Sequence, residues 1–127
     1  MYSNRKKKLP PGTIRFYNDV VLNKVEMLAE TSIYLMKFAI TANLKRIKWD
    51  KTKRLLNGSL LLLTSDKFRT IYFASVSRRD EKQLANGIIG ITWEGTKPPD
   101  LYGNVSFLMV ECEVYFESYR LVVIHSV

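Results

Sequence analysis

One cysteine and one histidine in 127 residues leave several kinds of chemistry without their usual side chains. Cys112 alone excludes an internal disulfide framework, and Cys112 with His125 is too small a set for a zinc site. A single cysteine also fits a reducing compartment. Glu111 and Glu113 flank Cys112 and disfavour its thiolate, so it reads as a buried or spectator residue rather than a nucleophile. His125 lies two residues from the last residue, Val127, a poor place for a general base. The chain has no Gly-x-x-x-x-Gly-Lys-Ser/Thr loop to cradle nucleotide phosphates. Nor does any run reach the roughly 18 unbroken apolar residues of a membrane-spanning helix, so membrane insertion is not expected. Arg5-Lys6-Lys7-Lys8 resembles a secretory n-region, but Leu9-Pro10-Pro11 follows instead of about 7–15 apolar residues, which excludes a signal peptide. Two carboxylate pairs remain. Asp80/Glu81 falls in a charged loop, and Glu111/Glu113 alternates onto one side of a strand end, where solvated surface is a more economical reading than a hydrolase pair. No catalytic residue, metal ligand or cofactor is expected in the chain itself.

Hydrophobic residues at 46% and charged residues at 25% describe a globular fold large enough for one core, not two. The net charge of +8 is unevenly placed. Residues 1–54 carry 13 Lys/Arg against 4 Asp/Glu, a balance of +9, whereas residues 55–127 carry 7 against 8, a balance of −1. Such asymmetry points to a polyanionic partner, nucleic acid before an anionic membrane surface. A solvated basic face is the plainer alternative.

Along the chain, residues 1–13 read as a flexible basic arm ended by Pro10-Pro11-Gly12, and residues 14–127 as the folded unit. Ile14–Leu22 is rich in aromatic and β-branched residues and reads as a strand, with Val25–Leu28 either pairing with a neighbour or continuing past a bulge at Asn23-Lys24. Ser32–Ile40 reads as a strand, with a short helix as the alternative; Ile33, Leu35 and Lys37 share one side, and Tyr34, Met36, Phe38 and Ile40 the other. Lys45–Trp49 reads as a half-buried strand with Ile47 and Trp49 inside and Arg46 and Lys48 outside. Asp50–Arg54 is a charged turn. Leu60–Leu63 reads as a strand buried on both faces, Ser65-Asp66-Lys67 as a hairpin turn, and Thr70–Val76 as the return strand. Asp80–Leu84 suits one helical turn. Gly87–Trp93 is a further strand in which Gly90 permits a bend or close backbone approach. Pro98-Pro99-Asp100 marks a surface loop, and Ser106–Glu111 the last strand. From Tyr115 the apolar spacing changes to three and four (Tyr115, Phe116, Tyr119, Val122, Val123), which predicts a C-terminal helix. That helix has no Gly or Pro stop and stays apolar to its end, as expected where a domain is cut from a longer chain. The predicted fold is mainly β: a small antiparallel β-barrel of about six or seven strands with a C-terminal helix.

Six cations fall within Lys45–Arg54: Lys45, Arg46, Lys48, Lys51, Lys53 and Arg54. Such a cluster neutralises phosphates and releases condensed counterions, giving salt-dependent binding with little sequence preference. Trp49 in its midst could stack on an unpaired base, but strand alternation turns it toward Ile47 and the core. The cations are therefore the candidate RNA-binding residues and Trp49 is not. Arg78 and Arg79 offer a second contact from the next loop.

Several stretches together resemble a known family. Ile47-Lys48-Trp49-Asp50-Lys51-Thr52-Lys53-Arg54-Leu55-Leu56-Asn57-Gly58-Ser59-Leu60, Ser65-Asp66-Lys67-Phe68 and Phe73-Ala74-Ser75-Val76-Ser77-Arg78-Arg79 look like the accessory (1B-like) barrel of a superfamily 1 RNA helicase. Ser106–Glu111 and Tyr115–Arg120 fit the same pattern. The chain is most similar to the helicases with NFX-type zinc fingers that act in RNA silencing and antiviral defence, and more distantly to the helicase of nonsense-mediated mRNA decay. The resemblance covers residues 14–123 and rests on packing and turn signatures rather than on site residues. It implies a barrel inserted ahead of the first motor domain, joined by stalk segments, that grips RNA or positions it over the motor channel. It further implies a cytoplasmic protein, associated with ribonucleoprotein granules and their proteins, whose ATP and Mg²⁺ sites lie in the motor domains of the same chain. The competing expectation is a protein-docking or regulatory module, self-associating through an apolar patch on the terminal helix at Tyr119, Val122 and Val123.

Overall fold

Fourteen consecutive residues, Ile14–Met27, form the first and longest strand, β1, and its sequence explains how the sheet closes. The computed structural model describes residues 14–95 and 98–112, Cys112 by its backbone alone. The expected basic arm, the terminal helix with its apolar patch, and Glu113 lie outside the described residues. The first half of β1 pairs antiparallel with β6 (Phe107–Cys112), the second half with β2 (Ser32–Lys37). Between the halves the β6 register shifts between Tyr17 and Val20, and Asp19 adopts a left-handed backbone at φ 53°. An extra residue reverses the in–out alternation. That is why Tyr17 and Val20, three apart, are both fully buried. A second shift between Leu22 and Lys24 is the bulge expected at Asn23-Lys24.

Three further strands complete the barrel: β3 (Leu60–Thr64), β4 (Tyr72–Arg78) and β5 (Ile88–Trp93). Around the closed barrel the order is β1-β2-β5-β4-β3-β6, antiparallel throughout. The six strands agree with the expected mainly β barrel, and closure removes the sheet edges that invite pairing with other chains. Ser32–Lys37 is a strand with the expected faces: Tyr34, Met36 and Phe38 meet the central core, and Ile33 and Leu35 are buried on the other side. Tyr17, Leu61, Leu63, Ile89, Ile91 and Met109 are fully buried in that core. Trp93 holds one side of it, its ring about 6 Å from those of Tyr34, Tyr72 and Phe107. Gly90 allows the close approach its sequence suggested, since a Cβ there would stand 2.7 Å from Arg78 Cβ.

Two short helices add Leu44 and Leu84 to the core. Helix α1 (Ala42–Lys45) is capped by Thr41, whose hydroxyl accepts from Leu44 N at 3.4 Å. Helix α2 (Glu81–Ala85) is capped by Asp80, which accepts from Lys82 N at 2.8 Å and Gln83 N at 3.2 Å. The second matches the helical turn expected at Asp80–Leu84. The first corrects the strand expected at Lys45–Trp49. There the chain ends α1 and goes into turns in which Lys48 O accepts from Lys51 N and Thr52 N. Two apolar residues two apart, with cations between, suit a strand and a wrapped turn alike, and five residues are too few to separate them. The burial pattern survives the change of element: Leu44 and Trp49 are buried, Ile47 is partly buried, and the intervening cations are exposed.

Candidate nucleic-acid interface

The basic segment is a shaped loop, fastened to the barrel by two devices. The first is Arg79, at the end of β4. Its Nε donates to Arg54 O at 3.2 Å, and its Nη2 donates to Trp49 O at 2.9 Å and Thr52 O at 3.5 Å. A planar guanidinium with fixed donors can hold three carbonyls of one loop together, which a lysine cannot. Trp49 is 7% exposed and packs against Phe38, with ring centroids 6.4 Å apart. Its assignment to the core is therefore correct.

The second device is Glu111, fully buried in β6. Its Oε2 accepts from Leu55 N at 2.7 Å and its Oε1 accepts from the Tyr17 hydroxyl at 2.9 Å. Arg54 Nη1 donates to the same hydroxyl at 3.3 Å, and Arg15 Nη1 stands 3.9 Å from Glu111 Oε1. Leu55 is itself held at φ 53°, a conformation a bulky side chain seldom adopts. Burial pushes the Glu111 carboxyl above its ordinary range, against the pull of Leu55 N–H, Tyr17 and the two arginines. Burial, then the nearby Glu111 charge, pushes the Tyr17 phenol well above its ordinary value. The expectation that Glu111 is solvated surface is thus overturned. It lies two residues from Met109 on the inner side of β6, and its charge is tolerated because both oxygens have donors.

With the backbone held from inside, Lys45, Arg46, Lys48, Lys51 and Lys53 are all exposed on one short stretch of chain. The other three candidate residues differ. Arg54 and Arg79 are partly buried and turn toward the barrel to build the loop. Arg78 is paired with Glu26 of β1. The structure therefore brings together five of the eight cations as an exposed strip. Sequence reasoning missed the Tyr17–Glu111–Arg54 network, whose partners are up to 94 residues apart. The one available signal was a glutamate in phase with Phe107 and Met109.

Among the described residues, no group of three or more His, Cys, Asp or Glu could hold a metal ion. None of their helices is long and apolar enough to cross a membrane.

Comparison with known proteins gives one consistent family. Residues 10–113 match the model of the ZNFX1 domain. The chain is 37% identical over 119 residues to the mouse NFX1-type zinc finger-containing protein 1, and 35% identical over 119 residues to the human protein of that name. Each match covers 91% of this chain and 6% of the relative, so the chain corresponds to a small part of those proteins. No solved structure matches it. The family match spans the whole described barrel, together with the loop that carries the basic strip, and on that ground the chain belongs to the ZNFX1 domain family.

Proposed function

We propose that this barrel is a non-catalytic RNA-contacting domain of an ATP-dependent RNA helicase, and that it grips RNA through the strip Lys45, Arg46, Lys48, Lys51 and Lys53. The observation that carries the reading is that Lys48, Lys51 and Lys53 stand exposed on or beside a loop held by Arg79 and Glu111, with Lys45 and Arg46 exposed at the end of α1 just before it. A loop already held in place loses little conformational freedom when it meets a phosphate backbone. In this reading ATP and Mg²⁺ act in motor domains of the parent chain, which the barrel contacts, and the parent works in the cytoplasm in ribonucleoprotein granules. Arg54, Arg78 and Arg79 serve the loop and the barrel first, with any contact to RNA secondary. The test replaces the five exposed cations with Gln and measures affinity for single-stranded and duplex RNA at low salt. Affinity should fall for both, with the thermal midpoint nearly unchanged because all five side chains are exposed. Unchanged affinity refutes the reading.

A protein-docking role has its own observation. Phe16, Val110, Leu62 and Phe73 are neighbours by strand register across β1, β6, β3 and β4, on the side opposite Tyr17 and Met109. Phe16 is 56% exposed. An apolar row of this kind suits a protein neighbour such as the motor domains or a second copy. Phe16→Ser should weaken that contact and leave RNA affinity unchanged.

A further inference from the structure

At the opposite end of β3 from the basic strip, three distant segments line an open cleft of about 360 Å³. Its walls include Asn18 and Asp19 from the β1 bulge, Ser65, Lys67 and Phe68 from the β3–β4 loop, and Ser106 before β6. Phe68 is 47% exposed, and Lys67 and Arg69 on either side of it are exposed too. The loop is strongly constrained. Thr64 Oγ1 accepts from Phe68 N at 3.0 Å and Asp66 N at 3.3 Å, and donates to Asp66 Oδ1 at 2.9 Å. The same Asp66 oxygen accepts from Thr70 N at 2.8 Å. These bonds hold Lys67 at φ 59° and Phe68 at φ 68°, while Asp19 across the cleft is also left-handed at φ 53°. Three non-glycine residues in that conformation line one cleft, and one of them is a phenylalanine half in water. Several large apolar residues of the barrel are exposed; Phe68 differs in being fixed by a bonded, left-handed loop at the mouth of a cleft, where such backbone strain motivates a functional reading.

We propose that this cleft receives one unpaired base of a single-stranded nucleic acid. Phe68 supplies the stacking face, and Lys67 and Arg69 face the adjoining phosphates. The lining is mainly apolar, with Phe107 and Leu108 beside Phe68, as the face of a base requires, while Asn18, Asp19, Ser65 and Ser106 offer donors and acceptors to its edge and the flanking cations favour a phosphate-bearing ligand. Asp19 accepts only, so bases with an exocyclic amino group, such as cytosine, fit better than uracil. The site does not depend on the basic strip.

Amide chemical-shift titration of the full 127-residue chain separates the possibilities. The probes are short oligo(C) RNA, oligo(U) RNA, the DNA counterpart oligo(dC), and an abasic strand of equal charge. Oligo(C) should bind roughly tenfold more tightly than the abasic strand, the worth of one stacked base, and more tightly than oligo(U). Amides of Asn18, Phe68 and Ser106 should shift. Phe68→Ala should erase the preference for bases, and Phe68→Tyr should keep it. Comparison of oligo(C) with oligo(dC) reports whether the base alone or also the 2′-hydroxyl is read. Equal affinity for base-bearing and abasic strands overturns the proposal, as does a base preference that survives Phe68→Ala; either result leaves the cleft to a protein contact. Removing the strip cations should weaken all strands alike. If that has no effect while the base preference persists, the strip reading fails and the cleft stands.

Discussion

Glu111 is one of the two residues that fasten the basic loop to the barrel, and the cost of losing it can be worked from its contacts. Its carboxylate accepts from Leu55 N at 2.7 Å and from Tyr17 OH at 2.9 Å. Hydrogen bonds to a charged group contribute about 1.5–3 kcal/mol each, and a buried donor left unsatisfied costs about 1–3 kcal/mol. These terms overlap, and removing one member of a buried charged network costs about 3–5 kcal/mol in total. Glu111→Ala should therefore destabilise the barrel by about 3–5 kcal/mol. Glu111→Gln, which keeps one acceptor and the volume, should cost about 1–3 kcal/mol. Urea unfolding followed by tryptophan fluorescence measures both, because Trp49 and Trp93 are packed in the structure. The pH dependence has a definite sign. The folded carboxyl lies above its ordinary value of 4.5, so the folded state binds the proton more tightly than the unfolded chain. Its contribution is greatest below that ordinary value and is lost as pH rises through the folded value. The advantage of the wild type over Glu111→Gln should shrink over the same interval. A Glu111→Ala variant within about 0.5 kcal/mol of wild type would show that the network does not hold the loop.

Arg79→Lys should destabilise by about 1.5–3 kcal/mol despite keeping the charge, because an ammonium cannot bond the carbonyls of Trp49, Thr52 and Arg54 together; the urea midpoint reports it. Gly87→Ala should cost about 2–4 kcal/mol in the same assay, since Gly87 has φ +80° and an added Cβ would stand 2.6 Å from Phe38 O. Asp66 behaves opposite to Glu111. Bonds from the Thr70 backbone and side chain hold its carboxyl below the ordinary 3.8, so its contribution is present above that value and lost as pH falls through the folded one; the protection factors of the Phe68 and Thr70 amides, measured against intrinsic exchange at each pH, should fall on acidification, and Asp66→Asn should remove that response.

Much of the barrel was legible because strand alternation reports a local fact, the side of the sheet each residue faces. Ser32–Lys37 follows from that pattern and the bulge at Asn23-Lys24 from its interruption, while Leu60–Thr64 and Ile88–Trp93 follow from short apolar runs between turn signals. Trp49 was placed correctly although its element was not, since burial and element type carry separate signals over a few residues. Tertiary pairing of polar groups was hidden. Nothing near Glu111 in sequence announces that Leu55 and Tyr17 donate to it. Arg79 looked like a surface cation because its three acceptors are backbone carbonyls 25 to 30 residues away. The cleft at Phe68 was equally hidden, being assembled from segments near residues 18, 65 and 106.

The central claim is that the strip from Lys45 to Lys53 meets phosphates, and the most direct measurement is the salt dependence of affinity for single-stranded RNA. Neutralising up to five phosphates predicts a plot of log K against log salt with a slope of up to about −3.5, from roughly 0.7 per phosphate. Each Lys→Ala substitution in the strip should reduce that slope by about 0.7. A slope near zero, or one that the substitutions leave unchanged, would contradict the account.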